Sequence, residues 1–368
     1  MPQLFETTEI NHMSIENRFV RSATYEGLAE KDGAVTPALT NMMRDLALGG
    51  VGLIISSHAY VSEAGKAGPG QLGAYKDELV PGLAEMTGAV HEAGGKILLQ
   101  LAHAGYHAFT QETGQPAVAP SDPGLANTPR HVLSSDEIAQ IKDDFVRAAQ
   151  RAKSAGFDGV QIHAAHGYLL SQFLSPHYNR RSDAYGGPIE NRTRPAVEIL
   201  KAIRQAVGPA YPVFVKINCR DFHDNGLELE DSLQAAQMLV ENGIDAIELS
   251  GGLLINEKLT PSRKGVHSED QEAYFETEAR TFKEKINVPL ILVGGNRSYS
   301  VAERLVSEGT ADYISMARPL IREPGLIKRW KAGDTEKSGC VSDNQCFKGI
   351  SAGLGVYCVT AEKQDSND

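Results

Sequence analysis

Eight short runs of nearly unbroken apolar, β-branched character recur along the chain, and that recurrence limits its folding more than any other feature. The first four are FVRSA (19 to 23), VGLIIS (51 to 56), KILLQLA (96 to 102) and GVQIH (159 to 163). PVFVKIN (212 to 218), IDAIELS (244 to 250), PLILVGG (289 to 295) and DYISMA (312 to 317) follow. Continuous rather than alternating apolar runs are expected of parallel strands covered on both faces. Parallel neighbours need crossovers, and segments of helical period lie between the runs, at 37–48, 79–93, 135–155, 194–207, 230–242, 271–285 and 298–308. Several stop at a glycine suited to a left-handed C-cap: Gly94, Gly156, Gly208, Gly243 and Gly309. Eight βα repeats predict an α/β fold of the (β/α)8 TIM-barrel type. A doubly wound open sheet competes, but it would carry a Gly-rich dinucleotide turn after its first strand, and none is there.

The barrel is expected to occupy residues 1–335, with 336–368 as a tail. LFETTEI and HMSIENR predict a hairpin across Asn11 that closes the bottom of the barrel. Two connections, 103–134 and 164–193, exceed plain barrel loops, as ordered functional loops do. At 368 residues, 41% hydrophobic and 23% charged, the chain can bury one large core without staples. Lys and Arg number 36 against 47 Asp and Glu, a net charge of -11, which argues against a nucleic-acid partner. No 18-residue apolar run occurs, and MPQLFETTEINHM lacks the basic start and apolar stretch of a signal peptide. A cytoplasmic protein without a membrane partner is expected. Four cysteines are too few for a disulfide framework. The sequence leaves a homo-oligomer open.

In a barrel, the strand ends that open into βα loops build the active site. Polar residues collect at those ends: Gln100 and His103, His163 and His166 with Tyr168, Lys216, then Gly294, Gly295 and Asn296, and Arg318 after Ala317. Two histidines three apart with a tyrosine two further on can bind a metal, sit satisfied in the core, or donate to a substrate oxygen. No third ligand stands at a convincing spacing, and HExxH is absent. Lys216 reads either as a lysine snorkelling to the barrel mouth or as an anion-facing or Schiff-base amine. VGGN after the seventh strand and ARP after the eighth fall on the two loops that form the usual phosphate cradle of this architecture. Backbone N–H groups freed by Gly294 and Gly295, with the Arg318 guanidinium, suit a phosphate monoester.

Four segments carry a family resemblance: NRFVRSAT (17 to 24), LLQLAHAG (98 to 105), QIHAAHGYLLSQFLSPHYNRRSDAYGGPIENR (161 to 192) and ISMARPLI (314 to 321). The chain resembles the Old Yellow Enzyme family of FMN-dependent NAD(P)H oxidoreductases, and especially the branch that includes the flavin barrel of 2,4-dienoyl-CoA reductase. The similarity runs from about Leu4 to Arg329. It implies that Ser22, Ala23 and Thr24 line FMN and that Gln100 bonds the pyrimidine edge of the isoalloxazine. It places Lys216 near N1 and O2 of the flavin, and the phosphate on Gly294, Gly295, Asn296, Ala317 and Arg318. His163 and His166 match the pair that grips a substrate carbonyl oxygen, and Tyr168 the tyrosine that protonates the α carbon. The implied activity is hydride transfer from NAD(P)H, through FMN, to the activated C=C bond of an enone, the small-molecule substrate.

The chain also departs from the family pattern. Tyr25 stands where many relatives carry threonine or cysteine, and His58 is a less secure match. CVSDNQC with Cys358 beyond it resembles an iron–sulfur ligand region, but Asp343 replaces one cysteine, leaving Cys340, Cys346 and Cys358. Thiolate is much the preferred cluster ligand, so a relic without metal is expected. Rival readings are amine demethylation or dehydrogenation on the same flavin barrel, a Schiff-base aldolase using Lys216, and a non-catalytic flavin-binding protein.

Overall fold

Every predicted run forms a strand, and the eight close into one parallel barrel. The computed structural model describes residues 3–122, 124 and 130–365, so part of the 103–134 loop and the last three residues of the tail lie outside the described residues. An antiparallel hairpin, β1 (Thr8–Ile10) and β2 (Met13–Ile15), precedes the barrel. β3 (Phe19–Arg21), β4 (Leu53–Tyr60) and β5 (Ile97–Ala102) begin it. β6 (Val118–Ala119) and β7 (His131–Val132) pair within the long loop. β8 (Gly159–Ala164), β9 (Val213–Asn218), β10 (Ala246–Ser250), β11 (Leu290–Leu292) and β12 (Tyr313–Met316) complete the circle back to β3.

The interior shows why the site sits at one end. Val20, Leu98, Phe214, Ala246 and Tyr313 form an apolar layer across the barrel, together with Leu53, Ile55 and Ile291. Ile10, Met13 and Ile15 of the hairpin pack under that layer and plug the N-terminal end, as expected from sequence. The turn that aims them, Asn11 and His12, has φ of 43° and 66°, the left-handed pair a tight hairpin needs. Side chains alternate along a strand, so the next inward positions lie two residues further on. There stand Ser22, Gln100, Lys216, Glu248 and Ser315, all buried. Outward residues such as Ile54, Leu99, Val160, Val215 and Leu249 join the core under the helices.

The helices Pro37–Leu48, Val80–Glu92, Ser135–Ser154, Ile189–Val207, Leu229–Glu241, Glu276–Lys285 and Tyr299–Ser307 alternate with the barrel strands and cover them. The five C-cap glycines read from sequence all have positive φ. Two helix starts differ from expectation by more than one residue. The helix expected from 194 begins at Ile189, with Pro195 inside it. Its first turn is held by tertiary contacts: buried Arg192 donates to Asp231 and to the Leu174 carbonyl. The helix expected from 271 begins at Glu276, because Glu269–Gln271 is a separate 3-10 turn and Ala273 (φ 48°) breaks the run.

The segment after residue 335 folds back over the barrel mouth. Ser338 N–H donates to Arg297 O (3.0 Å), Gly265 N–H to Ser342 O (3.1 Å) and Val356 N–H to Glu26 O (2.7 Å). Among the described residues no helix is long and apolar enough to cross a membrane.

Candidate active site

A cavity of about 560 Å³ opens at the C-terminal end of the barrel, where the interior has turned polar. Every site residue expected from sequence lines it except Gly294 and His103, the latter buried behind the end of β5 with its Nδ1 accepting the Gly105 N–H at 3.1 Å. Gly294 lies one step behind: its carbonyl accepts the Tyr274 N–H (3.0 Å), and a Cβ there would stand 2.8 Å from the Phe275 ring. The next residue, Gly295, reaches the cavity with φ 80°, and a Cβ on it would stand 2.7 Å from Tyr274.

Glu248 organises the floor. Its Oε1 accepts from Ser22 Oγ (2.7 Å) and Ser315 Oγ (2.8 Å), and its Oε2 from Gln161 Nε2 (2.9 Å). Lys216 Nζ lies 3.2 Å from Oε2 and donates to Ser22 Oγ at 2.7 Å. Gln161 Oε1 in turn accepts from Gln100 Nε2 at 2.7 Å. A fully buried carboxylate is tolerable only when paired and fully hydrogen-bonded, and these four donors meet that condition. Burial lowers the Lys216 pKa from its ordinary value, while Glu248 opposes that fall. The floor therefore presents one ammonium and one carboxamide, both fixed in direction. Sequence reasoning singled out neither Glu248 nor Gln161. An acid within the apolar run IDAIELS was the available signal.

One end of the cavity gathers hydrogen-bond donors. The Gly295 and Asn296 N–H groups have no partner among the described residues. The Asn296 Nδ2 donates to Leu292 O (2.8 Å) and Ser315 O (3.1 Å) and so stitches β11 to β12, which leaves its backbone N–H as the donor free for an anion, while its buried Oδ1 has no partner among the described residues. Arg318 is 7% exposed, and its Nη1 donates to Arg263 O and to Asn344 Oδ1, both at 2.8 Å. Asn344, Phe347 and Ile350 of the C-terminal segment line the same cavity, which nothing in the sequence indicated.

The other end gathers the aromatic and imidazole side chains. The His163 ring lies 5.2 Å from that of His166 and 5.0 Å from that of Tyr168, edge-on to both. His166 Nε2 is 2.8 Å from Ser250 Oγ, and its backbone N–H donates to Asn218 Oδ1. His163 Nδ1 is buried with no partner among the described residues, a polar atom left for a ligand or a water to satisfy. Burial, reinforced by the Lys216 charge, holds both imidazoles well below their ordinary pKa, so each is neutral and carries one N–H. Burial pushes the Tyr168 hydroxyl up to about 12. Tyr25 and His58 also line this end, their rings stacked at 5.3 Å.

The cysteine-containing segment lies beside Arg318. Burial, then the neighbouring Cys340, pushes the Cys346 thiol up to about 11, with Cys358 and Asp343 adding to it and Arg318 opposing. Asp343 is engaged locally, accepting from Gln345 N–H (3.0 Å) and Thr360 Oγ1 (2.9 Å). Among the described residues no three His, Cys, Asp or Glu side chains are grouped to hold a metal ion.

The structure is a parallel (β/α)8 barrel with a polar floor, free N–H groups and an arginine after its last two strands, and an imidazole and phenol cluster opposite. The chain belongs to the NADH:flavin oxidoreductase / NADH oxidase family, whose model matches residues 3–337, and thus to the Old Yellow Enzymes. The NADH oxidase of Thermoanaerobacter brockii is 38% identical over 351 residues, covering 93% of this chain and 53% of its own. The NADPH dehydrogenase of Bacillus subtilis (strain 168) is 36% identical over 325 residues, covering 88% of this chain and 92% of its own. The structure of a 2-naphthoyl-CoA reductase with 2-naphthoyl-CoA superimposes with a TM-score of 0.90 at 27% identity, covering 97% of this chain and 56% of its own. The chain thus spans about half the length of the first of these relatives. FMN and NAD(P)H are its cofactors, and the donor set of the cavity is of the kind they need: free N–H groups and an arginine at one end, a carboxamide and an ammonium on the floor.

Proposed function

We propose that this chain reduces the activated C=C bond of an α,β-unsaturated carbonyl compound at the expense of NAD(P)H, with Ser22, Ala23, Thr24, Gln100, Lys216, Gly295, Asn296, Ala317 and Arg318 holding FMN, Gly294 shaping the cradle, and His163, His166 and Tyr168 acting on the substrate. The observation that carries this reading is the unpartnered, buried His163 Nδ1 beside His166 and the Tyr168 hydroxyl. The similar complex of 2-naphthoyl-CoA reductase with 2-naphthoyl-CoA supports a conjugated carbonyl as substrate.

FMN, when bound, supplies hydride at the β carbon of the alkene. Negative charge then develops on the carbonyl oxygen, and donors placed there beforehand lower the barrier, each by ~3 kcal/mol on the precedent of oxyanion holes. His163 and His166 are those donors. Because both are neutral, they bind the ketone and its enolate without fixing a counter-charge in advance. Tyr168 delivers the proton to the α carbon. Its raised pKa keeps it protonated across the working pH range. Lys216 would hold the pyrimidine side of the flavin, where its positive charge would favour taking up hydride.

The test is anaerobic. Protein reduced with one equivalent of NADH or NADPH and mixed with 2-cyclohexen-1-one should reoxidise and yield cyclohexanone, carrying deuterium at the α carbon when run in D2O. Reduction of the protein by amines with no reoxidation by any enone would overturn the reading.

A further inference from the structure

His58 reaches the cavity through an irregularity in β4. Ile55 is opposite Leu98 and His58 is opposite Gln100, so three residues of β4 span what two residues of β5 span. That extra residue is a bulge, and it re-aims the strand. Strict alternation from Ile55 would put Ser57 inward, whereas His58 stands in the mouth at 6% exposure.

The tautomer of His58 follows from its neighbours. Gln71, 1% exposed, accepts the Ala67 N–H on Oε1 at 2.6 Å, which sets the orientation of its carboxamide. Its Nε2 therefore faces His58, donating to the His58 carbonyl at 3.0 Å and to His58 Nδ1 at 2.8 Å. An amide nitrogen only donates, so Nδ1 accepts. Burial lowers the pKa of the ring, with Glu26 acting upward and Lys216 and Arg21 downward, so the imidazole is neutral and its one hydrogen sits on Nε2. Nε2 lies 3.4 Å from Tyr168 Oη. Tyr25 and His163 stack with the ring at 5.3 and 6.5 Å, with interplanar angles of 24° and 16°.

We propose that His58, with its tautomer set by Gln71, is a positioning residue for Tyr168: Nε2–H donates to the phenol oxygen, turns the hydroxyl hydrogen toward the substrate and stabilises the phenolate left behind. The inference rests on Tyr168 being the proton donor. In that step the Tyr168 O–H bond breaks, a C–H bond forms at the α carbon, and the negative charge passes from enolate to phenolate. Water later restores the phenol. Burial alone disfavours a phenolate here, since it raises the Tyr168 pKa, and a donor at the oxygen offsets part of that cost. The other groups facing Tyr168, neutral His163 and Tyr25, bring no charge to this oxygen.

The experiment uses the FMN-loaded protein with 15N-labelled histidine. The His58 resonances, assigned by their loss in His58→Gln, should report the Nε2–H tautomer, and an Nδ1–H tautomer would overturn the proposal. In stopped flow, His58→Phe should slow reoxidation by an enone about tenfold, the size of one hydrogen bond to a charged group. Its alkaline limb, where Tyr168 ionises, should move to higher pH, because removing the donor destabilises the phenolate. Flavin reduction by NAD(P)H and reoxidation by a quinone should stay within about twofold of the parent. His58→Gln, which keeps an N–H donor, should recover most of the enone rate. An unchanged enone rate and limb in His58→Phe overturns the proposal, and so does a uniform loss in all three reactions that Gln does not rescue. If Tyr168→Phe itself reoxidises with enone at the parent rate, the assignment of Tyr168 falls first. If Tyr168→Phe is slow and His58→Phe is not, only the role of His58 falls.

Discussion

Arg318, at the end of β12, donates its Nη1 to Oδ1 of Asn344, a residue of the C-terminal segment, at 2.8 Å. Asn344 is itself tied to the loop after β10, accepting from Ser262 Oγ (3.0 Å) and donating to Ser262 O (2.8 Å). The guanidinium proposed to hold the cofactor phosphate is thus aimed from 26 residues downstream, the separation of the two partners. Arg318→Ala removes a charge-assisted contact of roughly 1.5–3 kcal/mol, so FMN should bind roughly ten- to a hundredfold more weakly to a barrel that still folds. Asn344→Ala should cost about fivefold, since the charge remains and only its aim is lost. Fluorescence titration of the apoprotein with FMN measures both. Unchanged affinity in Arg318→Ala would move the phosphate elsewhere.

Tyr168→Phe deletes a proton and little else. Flavin reduction by NAD(P)H should remain near the parent rate, while reoxidation by an enone slows by about 10²-fold or more. A quinone, whose reduction needs no protonation at carbon, should still be turned over. His163→Ala and His166→Ala should each weaken enone and phenol binding by ~1–3 kcal/mol. Loss of flavin reduction with intact enone reoxidation in Tyr168→Phe would favour amine oxidation instead.

Stability should fall in mild acid. Burial lowers His103 and His107 from the ordinary 6.5 to about 4, and holds His163 and His166 well below it. A folded-state pKa below the unfolded one means that the unfolded chain takes up protons first as pH drops. The stability is fully present above pH ~6.5 and is lost as pH falls toward ~4. Each such histidine should contribute about 2 kcal/mol of loss between pH 7 and pH 5. Urea denaturation of the apoprotein at the two pH values checks the sign, and His103→Gln should make the dependence shallower.

Anaerobically purified protein should contain well under one iron per chain and no acid-labile sulfide. Asp343 is committed to Gln345 and Thr360, and the buried Cys346 thiol is pushed toward its neutral form, a poor ligand. A stoichiometric cluster by metal analysis and visible spectroscopy would show that Asp343 swings out to ligate.

The parts of the site that could be read along the chain share one property: short range. QIHAAHGY puts His163, His166 and Tyr168 on one strand end and its loop, and a left-handed turn at His166 (φ 66°) and Gly167 (φ 86°) suffices to gather them. VGGN and ARP sit on adjacent loops because β11 and β12 are neighbours in the barrel, which strand order alone implies. Glu248 was visible only as a charge in an apolar run. Its meaning depends on Ser22, Gln161, Lys216 and Ser315, which come from four other strands or strand ends.

By itself, then, the order of residues determined the eight strands, the barrel they close into, the hairpin plug and the polar end, because hydrophobic period and glycine caps act over a few residues and barrel closure follows from their repetition. Only the tertiary structure decided that His58 rather than Ser57 faces the cavity, and that Gly294 stands behind the cradle. It also decided that residues 336–365 wrap over the mouth to hold Arg318. The physical reason is common to all three. A bulge, a ring packed against a backbone and a loop-to-tail hydrogen bond each depend on atoms that meet only once the barrel has closed, so no local pattern of residues encodes them.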